Sequence, residues 1–207
     1  NYGSAMTPFY STLAIWVGAV VMAAMLKITV GDSTKKKLFH PKEYQLYIGR
    51  ILLLIIIGFM QSALICLGDL FFLGIQCKHP VMFVLTGMFT SFVYVNLIYA
   101  LTVSFGDIGK AIAVVLMVMQ VAGSGGTFPI QCAPKFFQVV YPLLPFTHSM
   151  NAMRECIAGF YGTTYATELG KLAIFLVPSL LLGLLLRKPI IKMNEAFMEK
   201  LESTHLI

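Results

Sequence analysis

The sequence predicts an all-α protein, a polytopic membrane helix bundle with five transmembrane helices, an external re-entrant or interfacial helical hairpin and an amphipathic cytoplasmic tail. Five apolar runs are separated by short polar loops, and a hydrocarbon core needs about 20 apolar residues in a helix. Hydrophobic residues make up 58% of the chain and charged residues 12%, about half the charged share of a soluble domain. Because lipid offers the backbone no hydrogen bonds, these runs must be helices. The 207 residues are therefore predicted to form a single transmembrane domain.

The predicted spans cover residues 8–30, 51–75, 81–105, 111–123 and 169–186. Lys and Arg mark the cytoplasmic side of a membrane protein. With the N-terminus outside, eleven of the fifteen basic residues fall inside and four fall outside, so we predict an outside N-terminus and a cytoplasmic C-terminus. A first helix that enters from outside must follow something already translocated. We therefore interpret the chain as the C-terminal part of a longer protein; the alternative, that it simply starts here, stays open.

A basic loop, residues 31–50, follows the first span. Its second half, residues 41–50, is predicted to form a short amphipathic helix, because Pro41 suits a first helical position and Tyr44, Tyr47 and Ile48 share one face. Three consecutive lysines at residues 35–37 favour contact with anionic lipid headgroups.

Two short turns join the middle spans. Residues 76–80 leave so little chain between spans two and three that these must be antiparallel neighbours. The inner turn, residues 106–110, is also tight. After the fourth span, residues 123–129 contain three glycines and a proline, which end a helix firmly; we call this segment the glycine turn.

Residues 130–167 are predicted to form the external hairpin. The first short helix begins at Pro134, and the second covers residues 147–158, with Gly159 as its C-terminal stop. The second helix has an apolar stripe opposite a polar one; the stripes are Phe146, Met150, Met153 and Ile157 against Thr147, Asn151 and Arg154. Such a pair fits a hairpin that dips into the outer leaflet or lies on it.

The tail, residues 187–207, is also amphipathic. Ile190, Met193, Phe197 and Leu201 recur on one side. We expect this segment to lie along the inner membrane surface.

Five polar residues are the candidate functional or helix-pairing positions: Asp69, Asn96, Gln120, Arg154 and Glu155. Ionisable groups inside a span are costly and often functional. Asp69 lies a turn or two from the outer end of its helix, so an interfacial structural role and a functional or helix-pairing role both stay open. Asn96 and Gln120 are predicted to form hydrogen bonds between helices. Arg154 and Glu155 are predicted to serve the hairpin through salt bridges or headgroup contacts, with a role in a transport pathway as the lesser alternative.

The sequence contains no motif for chemistry. The run of residues 123–126 lacks the Lys-Ser/Thr of a Walker A loop, which excludes an intrinsic ATPase. The four histidines fall in four different segments, so they lack metal-ligand spacing. We expect no enzyme activity, no cofactor and no metal. The net charge is +6, but the basic residues lie at the ends of the apolar runs, so we expect no nucleic-acid binding.

Three of the four cysteines, Cys77, Cys132 and Cys156, are predicted outside, where disulfides can form. Because three is odd, at least one of them stays free or pairs with another chain. Cys77 and Cys132 both lie at the outer surface, so a Cys77–Cys132 bridge is the pairing hypothesis.

Several strings of residues resemble the C-terminal membrane domain of the YhgE/Pip, or phage infection protein, family. The most specific are Ala122–Pro129 (AGSGGTFP) and Asn151–Glu155 (NAMRE); residues 1–9, 16–18, 106–113, 141–147 and 192–202 also fit. The family is similar to the membrane half of type-2 ABC exporters, which have six helices with a hairpin of short external helices before the last. The resemblance implies a multi-pass bacterial cell-membrane protein with a large external domain before these five spans.

Two functions follow from the resemblance. The first is a non-enzymatic membrane anchor that acts as a receptor for phage infection or as an envelope scaffold. The small number of charged residues inside the predicted spans slightly favours this function. The second is the permease subunit of a type-2 ABC exporter driven by a separate ATPase. By the same resemblance the inner loop corresponds to a coupling helix, which makes Glu43, Tyr44 and Tyr47 the candidate partner-docking residues. The partner hypotheses are the lipid bilayer, a homodimer, a separate ATPase subunit, and a phage protein that binds the external domain.

Overall fold

The computed structural model describes residues 2–26 and 43–186, and in these ranges the chain is helical with no strand. The helices are α1 (Tyr2–Met25), α2 (Glu43–Phe71), α3 (Pro80–Phe105), α4 (Asp107–Gly123), α5 (Lys135–Val140), α6 (Pro145–Ala158), α7 (Thr164–Ile174) and α8 (Leu176–Leu180). Two 3₁₀ turns, Ile130–Cys132 and Tyr141–Leu143, flank α5, and a π-helical segment, Leu181–Leu186, follows α8. The predicted all-α membrane helix bundle is confirmed.

Within residues 2–26 and 43–186, four stretches are long and apolar enough to cross a membrane. They are α1, residues 47–71 of α2, α3, and residues 164–184. The helix α4 contains the predicted span 111–123 but has only 17 residues, which gives a length of about 25 Å against a hydrocarbon core of about 30 Å. Four of the five predicted spans thus have full length, and the fifth is a shorter helix.

The helix α3 lies at the centre of the bundle. It packs against α1, α2, α4, α6 and α8, and Val93, Tyr94 and Ile98 on it are fully buried. In contrast, α2 exposes a stripe at helical spacing: Leu52, Ile56, Met60 and Leu64. Lipid tails are as apolar as leucine, so such a stripe suits a lipid-facing surface. The interior of the bundle is stabilised instead by close packing of side chains.

Two predicted helix starts were wrong. The first helix begins at Tyr2 rather than at Pro8, which lies inside α1. The hydroxyl of Thr7 donates to the carbonyl oxygen of Gly3 (2.9 Å), and the backbone N–H of Gln76 donates to the Ser4 hydroxyl (3.0 Å). These contacts hold the first turns in place although proline removes one backbone bond.

The second error is the separate amphipathic helix at residues 41–50. Residues 43–50 are the first turns of α2, which continues without a break to Phe71. Nothing in this stretch ends a helix: Gly49 is its one weak helix former, and a single glycine inside a helix is tolerated.

The last span also differs from its prediction. The helix begins at Thr164, not at residue 169, so the segment that was predicted to be external ends before residue 164. The helix then changes register at Phe175, where α7 gives way to α8. Pro178 explains this break, because it cannot donate a hydrogen bond to the carbonyl of Ile174 one turn earlier.

The connection between α2 and α3 covers residues 72–79 and is longer than the predicted turn at residues 76–80, and the two helices pack against each other as neighbours. The inner turn is shorter than the predicted residues 106–110, because Gly106 alone separates α3 from α4, with φ at +61°. An added Cβ on Gly109 would lie 2.1 Å from the carbonyl oxygen of Leu101. This turn therefore depends on the close approach of two backbones.

The hairpin has the predicted helices but not the predicted exposure. Its second helix, α6, ends at Ala158 before Gly159, whose φ is +109°. However, α6 packs against α1, α3 and α7, and its first six residues are all buried. It is therefore an internal helix covered by protein and not one that lies on the leaflet. The three lysines at residues 35–37, predicted to contact lipid headgroups, and the predicted amphipathic tail, residues 187–207, lie outside the described residues.

Candidate functional site

Polar side chains line the interior of the bundle. Buried hydroxyl and amide groups occur where the helices meet: Ser11, Thr12, Thr86, Thr90, Ser91, Asn96, Gln120, Thr147 and Ser149. Most lie towards the end of the bundle that contains residues 72–79 and 124–163, which we call the hairpin end. Groups of this kind commonly join helices by hydrogen bonds inside a membrane.

Asp69 joins α2 to α1. It is 9% exposed, and its Oδ2 accepts a hydrogen bond of 2.5 Å from the hydroxyl of Ser11. Of the two roles that the sequence left open for Asp69, this geometry is that of helix pairing.

The amide residues behave differently from one another. The Nδ2 of Asn96 donates to the carbonyl oxygen of Phe92 (2.7 Å), so this bond lies within its own helix and does not join two helices. Gln120 is fully buried on α4, and neither Nε2 nor Oε1 has a hydrogen-bond partner in the described part of the chain. Neither residue makes the predicted interhelical bond.

Hydroxyl groups attach α6 to the bundle. The hydroxyls of Tyr94 on α3 and Ser149 on α6 share a hydrogen bond, and the hydroxyl of Thr86 on α3 contacts that of Tyr165 on α7 at 2.8 Å. The Thr12 hydroxyl on α1 lies 3.5 Å from the sulfur of Met153. These contacts place α6 at the junction of α1, α3 and α7.

A cluster of ionisable residues links α6 to α7, with His148 and Glu168 buried and Lys171 exposed, and sequence reasoning missed it. His148 Nδ1 lies 2.7 Å from Glu168 Oε2, and Glu168 Oε1 accepts a bond of 2.9 Å from Lys171 Nζ. The other ring nitrogen of His148 lies 2.9 Å from the carbonyl oxygen of Pro142. A ring protonated on both nitrogens would donate to both acceptors. Glu168 lies just before residue 169, where the last span was predicted to begin. Because α7 begins at Thr164, Glu168 is an ionisable residue inside a span, which is a recognised functional signal.

An apolar cavity of about 330 Å³ adjoins this cluster. Its lining combines His148 and Lys171 with apolar side chains, among them Leu143, Ile174 and Phe175. The cavity lies between the 3₁₀ turn before α6 and the break between α7 and α8.

Arg154 holds the glycine turn. Its Nη2 donates to the carbonyl oxygens of Gly125 (3.3 Å) and Gly126 (3.4 Å). Burial lowers the pKa of the Arg154 guanidinium. Glu155 Oε2 accepts a bond of 2.7 Å from the backbone N–H of Tyr161. In the described ranges both residues make hydrogen bonds to the backbone and neither forms a salt bridge, so their predicted roles at the hairpin or in a transport pathway stay predictions.

The predicted Cys77–Cys132 bridge is absent from the structure, in which all four cysteines are free. The turn that contains Cys77 is docked on α6: the thiol of Cys77 contacts the carbonyl oxygen of Cys156 (3.4 Å), and the backbone N–H of His79 donates to the same oxygen (3.1 Å). Cys132 is exposed beside the glycine turn. Burial raises the pKa of the Cys77 and Cys156 thiols.

The candidate docking residues lie at the opposite end of the bundle. Tyr47 is 3% exposed, and its ring packs against Tyr99 with the centroids 4.9 Å apart. A Cβ on Gly183 would lie 2.2 Å from the Tyr47 hydroxyl, so the ring fills the space above that glycine. Tyr47 is thus a core residue. The side chains of Glu43 and Tyr44 lie outside the described residues, and docking through them stays a prediction.

No group of three or more His, Cys, Asp or Glu residues in the described ranges could hold a metal ion.

Comparison with known proteins agrees with this architecture. Residues 1–185 match the family described as ABC-2 family transporter protein. The chain is also similar to the "Uncharacterized protein YhgE" of Bacillus subtilis (strain 168), at 27% identity over 158 residues, which are 76% of this chain and 20% of that protein. The chain thus spans about a fifth of the length of this relative. No solved structure matches the chain.

Proposed function

The chain belongs to the ABC-2 family transporter proteins, with the YhgE-like membrane domain that its sequence resembles, and we propose that it is the permease part of an exporter driven by a separate ATPase. The family match over residues 1–185 is the observation that carries this proposal. Because the chain has no phosphate-binding loop of its own, the energy for transport would come from a partner. In this proposal the chain itself is not an enzyme.

The polar interior supports transport over a passive anchor. The sequence favoured an anchor slightly, on the ground that few charges seemed buried. The structure buries Asp69, His148 and Glu168, and the amide of Gln120 has no hydrogen-bond partner among the residues that the structure describes. Buried polar and ionisable groups cost free energy in a membrane and often mark substrate or ion pathways. A bundle that only anchors another domain would be more stable with apolar side chains at these positions.

The second candidate is a membrane anchor for an external domain, which would act as a phage receptor or envelope scaffold. One observation favours it: the chain covers only a fifth of the similar Bacillus subtilis protein, so a relative of this kind has room for a large additional part. The two functions are compatible in one protein.

The proposal includes an orientation in the bacterial cell membrane, with the N-terminus of this chain outside and its C-terminus in the cytoplasm. A single cysteine at position 36 should be protected from a membrane-impermeant thiol reagent in intact cells, whereas one at position 138 should react. Gln138 lies in α5 at the hairpin end. The opposite pattern would reverse the orientation.

Photo-crosslinking tests the ATPase partner. A photoreactive amino acid replaces Glu43, Tyr44 or, as the matched control, Tyr47 in the full-length protein in its native membrane. Adducts with an ATP-binding subunit are expected from 43 or 44 but not from 47, because Tyr47 is buried against Tyr99. If 43 and 44 yield only lipid adducts while the candidate ATPase is present in the membrane, the permease proposal fails and the anchor remains. A homodimer would appear as an adduct of twice the chain mass.

A further inference from the structure

The cavity beside His148 combines basic side chains with an apolar wall. His148 and Lys171 line it together with apolar residues, which include Leu143, Ile174 and Phe175. Its volume of about 330 Å³ lies at the lower end of the range of small-molecule sites, roughly 300–1,000 Å³. A mostly apolar pocket on which a few polar groups converge is the usual form of a ligand site.

The basic residues leave one positive charge unbalanced at this cavity. His148 Nδ1 lies 2.7 Å from Glu168 Oε2, and Nε2 lies 2.9 Å from the carbonyl oxygen of Pro142. A carboxylate and a carbonyl only accept hydrogen bonds, so both contacts are hydrogen bonds only when the ring is doubly protonated and positive. Among the described residues, Glu168 is the carboxylate that forms an ion pair with His148 and with Lys171. Two positive groups against one carboxylate leave a charge of +1.

Lys171 can donate to a ligand, whereas His148 supplies only its charge. An ammonium group has three N–H donors, and Lys171 Nζ uses one of them for Glu168 Oε1 at 2.9 Å. The side chain of Lys171 is 47% exposed. Both ring nitrogens of His148 are already engaged. The polar end of the cavity therefore suits an anion that accepts hydrogen bonds.

The apolar wall continues from Lys171 into the membrane. Ile174 and Pro178 line the cavity, and they follow Lys171 by three and seven residues along one face of the last span. Because this span runs from the hairpin end over residues 164–184, both residues lie deeper in it than Lys171. The mouth of the cavity is also apolar, since Leu143 and Ile174 are exposed. A ligand that fits this order of groups has an anionic head and an apolar chain, as a membrane lipid does.

We propose that this cavity binds a phospholipid of the surrounding bilayer with an anionic headgroup, whose negative charge lies at Lys171 and whose acyl chain lies against Ile174 and Phe175. A neutral lipid would leave the positive charge unbalanced, and a soluble anion would leave the apolar wall without a partner. The lipid would lie between α6 and α7, on the side of the bundle that faces the bilayer. This site goes beyond the permease function, because it holds whether or not the chain transports a substrate.

Photolabelling in nanodiscs tests the site. The full-length protein is reconstituted in phosphatidylcholine with a small fraction of either phosphatidylglycerol or phosphatidylcholine that has a diazirine in its acyl chain. Mass spectrometry then measures the label on Leu143, Ile174 and Phe175. We expect about five times more label from phosphatidylglycerol, the factor that one basic residue contributes near a membrane. Equal label from the two lipids would overturn the proposal. Absence of label, as expected if another segment of the full-length protein covers the cavity, would also overturn it.

Variants of Lys171 show whether the cavity causes this preference. Lys171→Gln should remove the preference, and Lys171→Arg should retain it. The matched control is Lys135→Gln, which removes an exposed lysine at the same end of the bundle but outside the cavity lining, and it should leave the preference unchanged. A preference that survives Lys171→Gln, or that Lys135→Gln removes, would assign it to the basic surface in general and contradict the site.

Thermal stability separates a lipid site from a structural ion pair. Phosphatidylglycerol added to the protein in detergent should raise the Tm of the wild type more than that of Lys171→Gln, because a ligand that binds only the folded state stabilises it. Phosphatidylcholine with the same chains is the control lipid and should give a smaller rise. If Lys171→Gln lowers the Tm but responds to phosphatidylglycerol as the wild type does, Lys171 is a structural residue and the proposal fails. Neither test involves an ATPase, so a failure here leaves the crosslinking test of the permease intact.

Discussion

Gly109→Ala should destabilise the bundle, because the turn between α3 and α4 has no room for a side chain. The added Cβ would lie 2.1 Å from the carbonyl oxygen and 2.5 Å from the carbonyl carbon of Leu101. Carbon atoms in contact prefer a separation of about 3.5–4.0 Å. The obstructing atoms belong to the backbone, so no change of rotamer relieves the clash and the two helices must separate by about 1 Å.

The expected size of the effect follows from two opposing terms. Overpacking of this kind costs about 1–3 kcal/mol, whereas Gly→Ala inside a helix gains about 0.5–1 kcal/mol. The net loss of unfolding free energy is therefore expected to reach about 2 kcal/mol. Gly49→Ala and Gly170→Ala are the matched controls, because an added Cβ at either glycine would have no atom within 4 Å. Both controls should gain about 0.5–1 kcal/mol.

Equilibrium unfolding in mixed micelles, by titration with a denaturing detergent, measures these differences. Trp16 is the chain's one tryptophan and is fully buried, with its ring edge-on to Tyr94 at 4.7 Å. Its fluorescence therefore reports the opening of the core. If Gly109→Ala proved as stable as Gly170→Ala, the close approach of the backbones at this turn would be refuted.

Three further predictions concern the hairpin end. A double-mutant cycle of Ser11→Ala and Asp69→Asn should give a coupling of about 1 kcal/mol; additive effects would show that their hydrogen bond does not stabilise the pair of helices. Arg154→Met should speed hydrogen exchange in the glycine turn, measured by mass spectrometry, since two carbonyl groups lose their donor; unchanged exchange would contradict that role. Exposed Cys132 should react with maleimide before Cys77, and the rate at Cys77 should keep rising as the pH passes the ordinary thiol pKa, because burial raises the pKa of Cys77 and the thiolate is the reactive form.

Local features were predictable from the sequence. The apolar runs, the glycine turn, the helix stop at Gly159 and a turn that begins at Gly106 all depend on nearby residues and on the need of the backbone for hydrogen bonds in lipid. The helix ends were less predictable. The helices that start at Tyr2 and Thr164 begin earlier than predicted, because their first turns lie outside the apolar run. Contacts with distant segments hold these turns in a helical conformation.

The candidate site depends on which helix faces meet, and this is where sequence reasoning reached its limit. Asp69 and Gln120 stood out as polar residues inside apolar runs, yet only the structure pairs Asp69 with Ser11 and shows Gln120 with no partner in the described part of the chain. His148 and Glu168 are 20 residues apart, and nothing in the sequence pairs the predicted amphipathic helix that contains His148 with the residue just before the last predicted span.

By itself, then, the sequence determined that this protein is a membrane helix bundle with a helical hairpin, since hydropathy and turn residues act over a few neighbours. The tertiary structure decided that α6 is internal, that a charged cluster joins it to α7 and that Tyr47 lies in the core. Each helix has several faces that could pack, and in lipid the hydrophobic effect does not distinguish among them. Close approach at glycines and the pairing of polar groups choose the faces, and both depend on residues far apart in the chain.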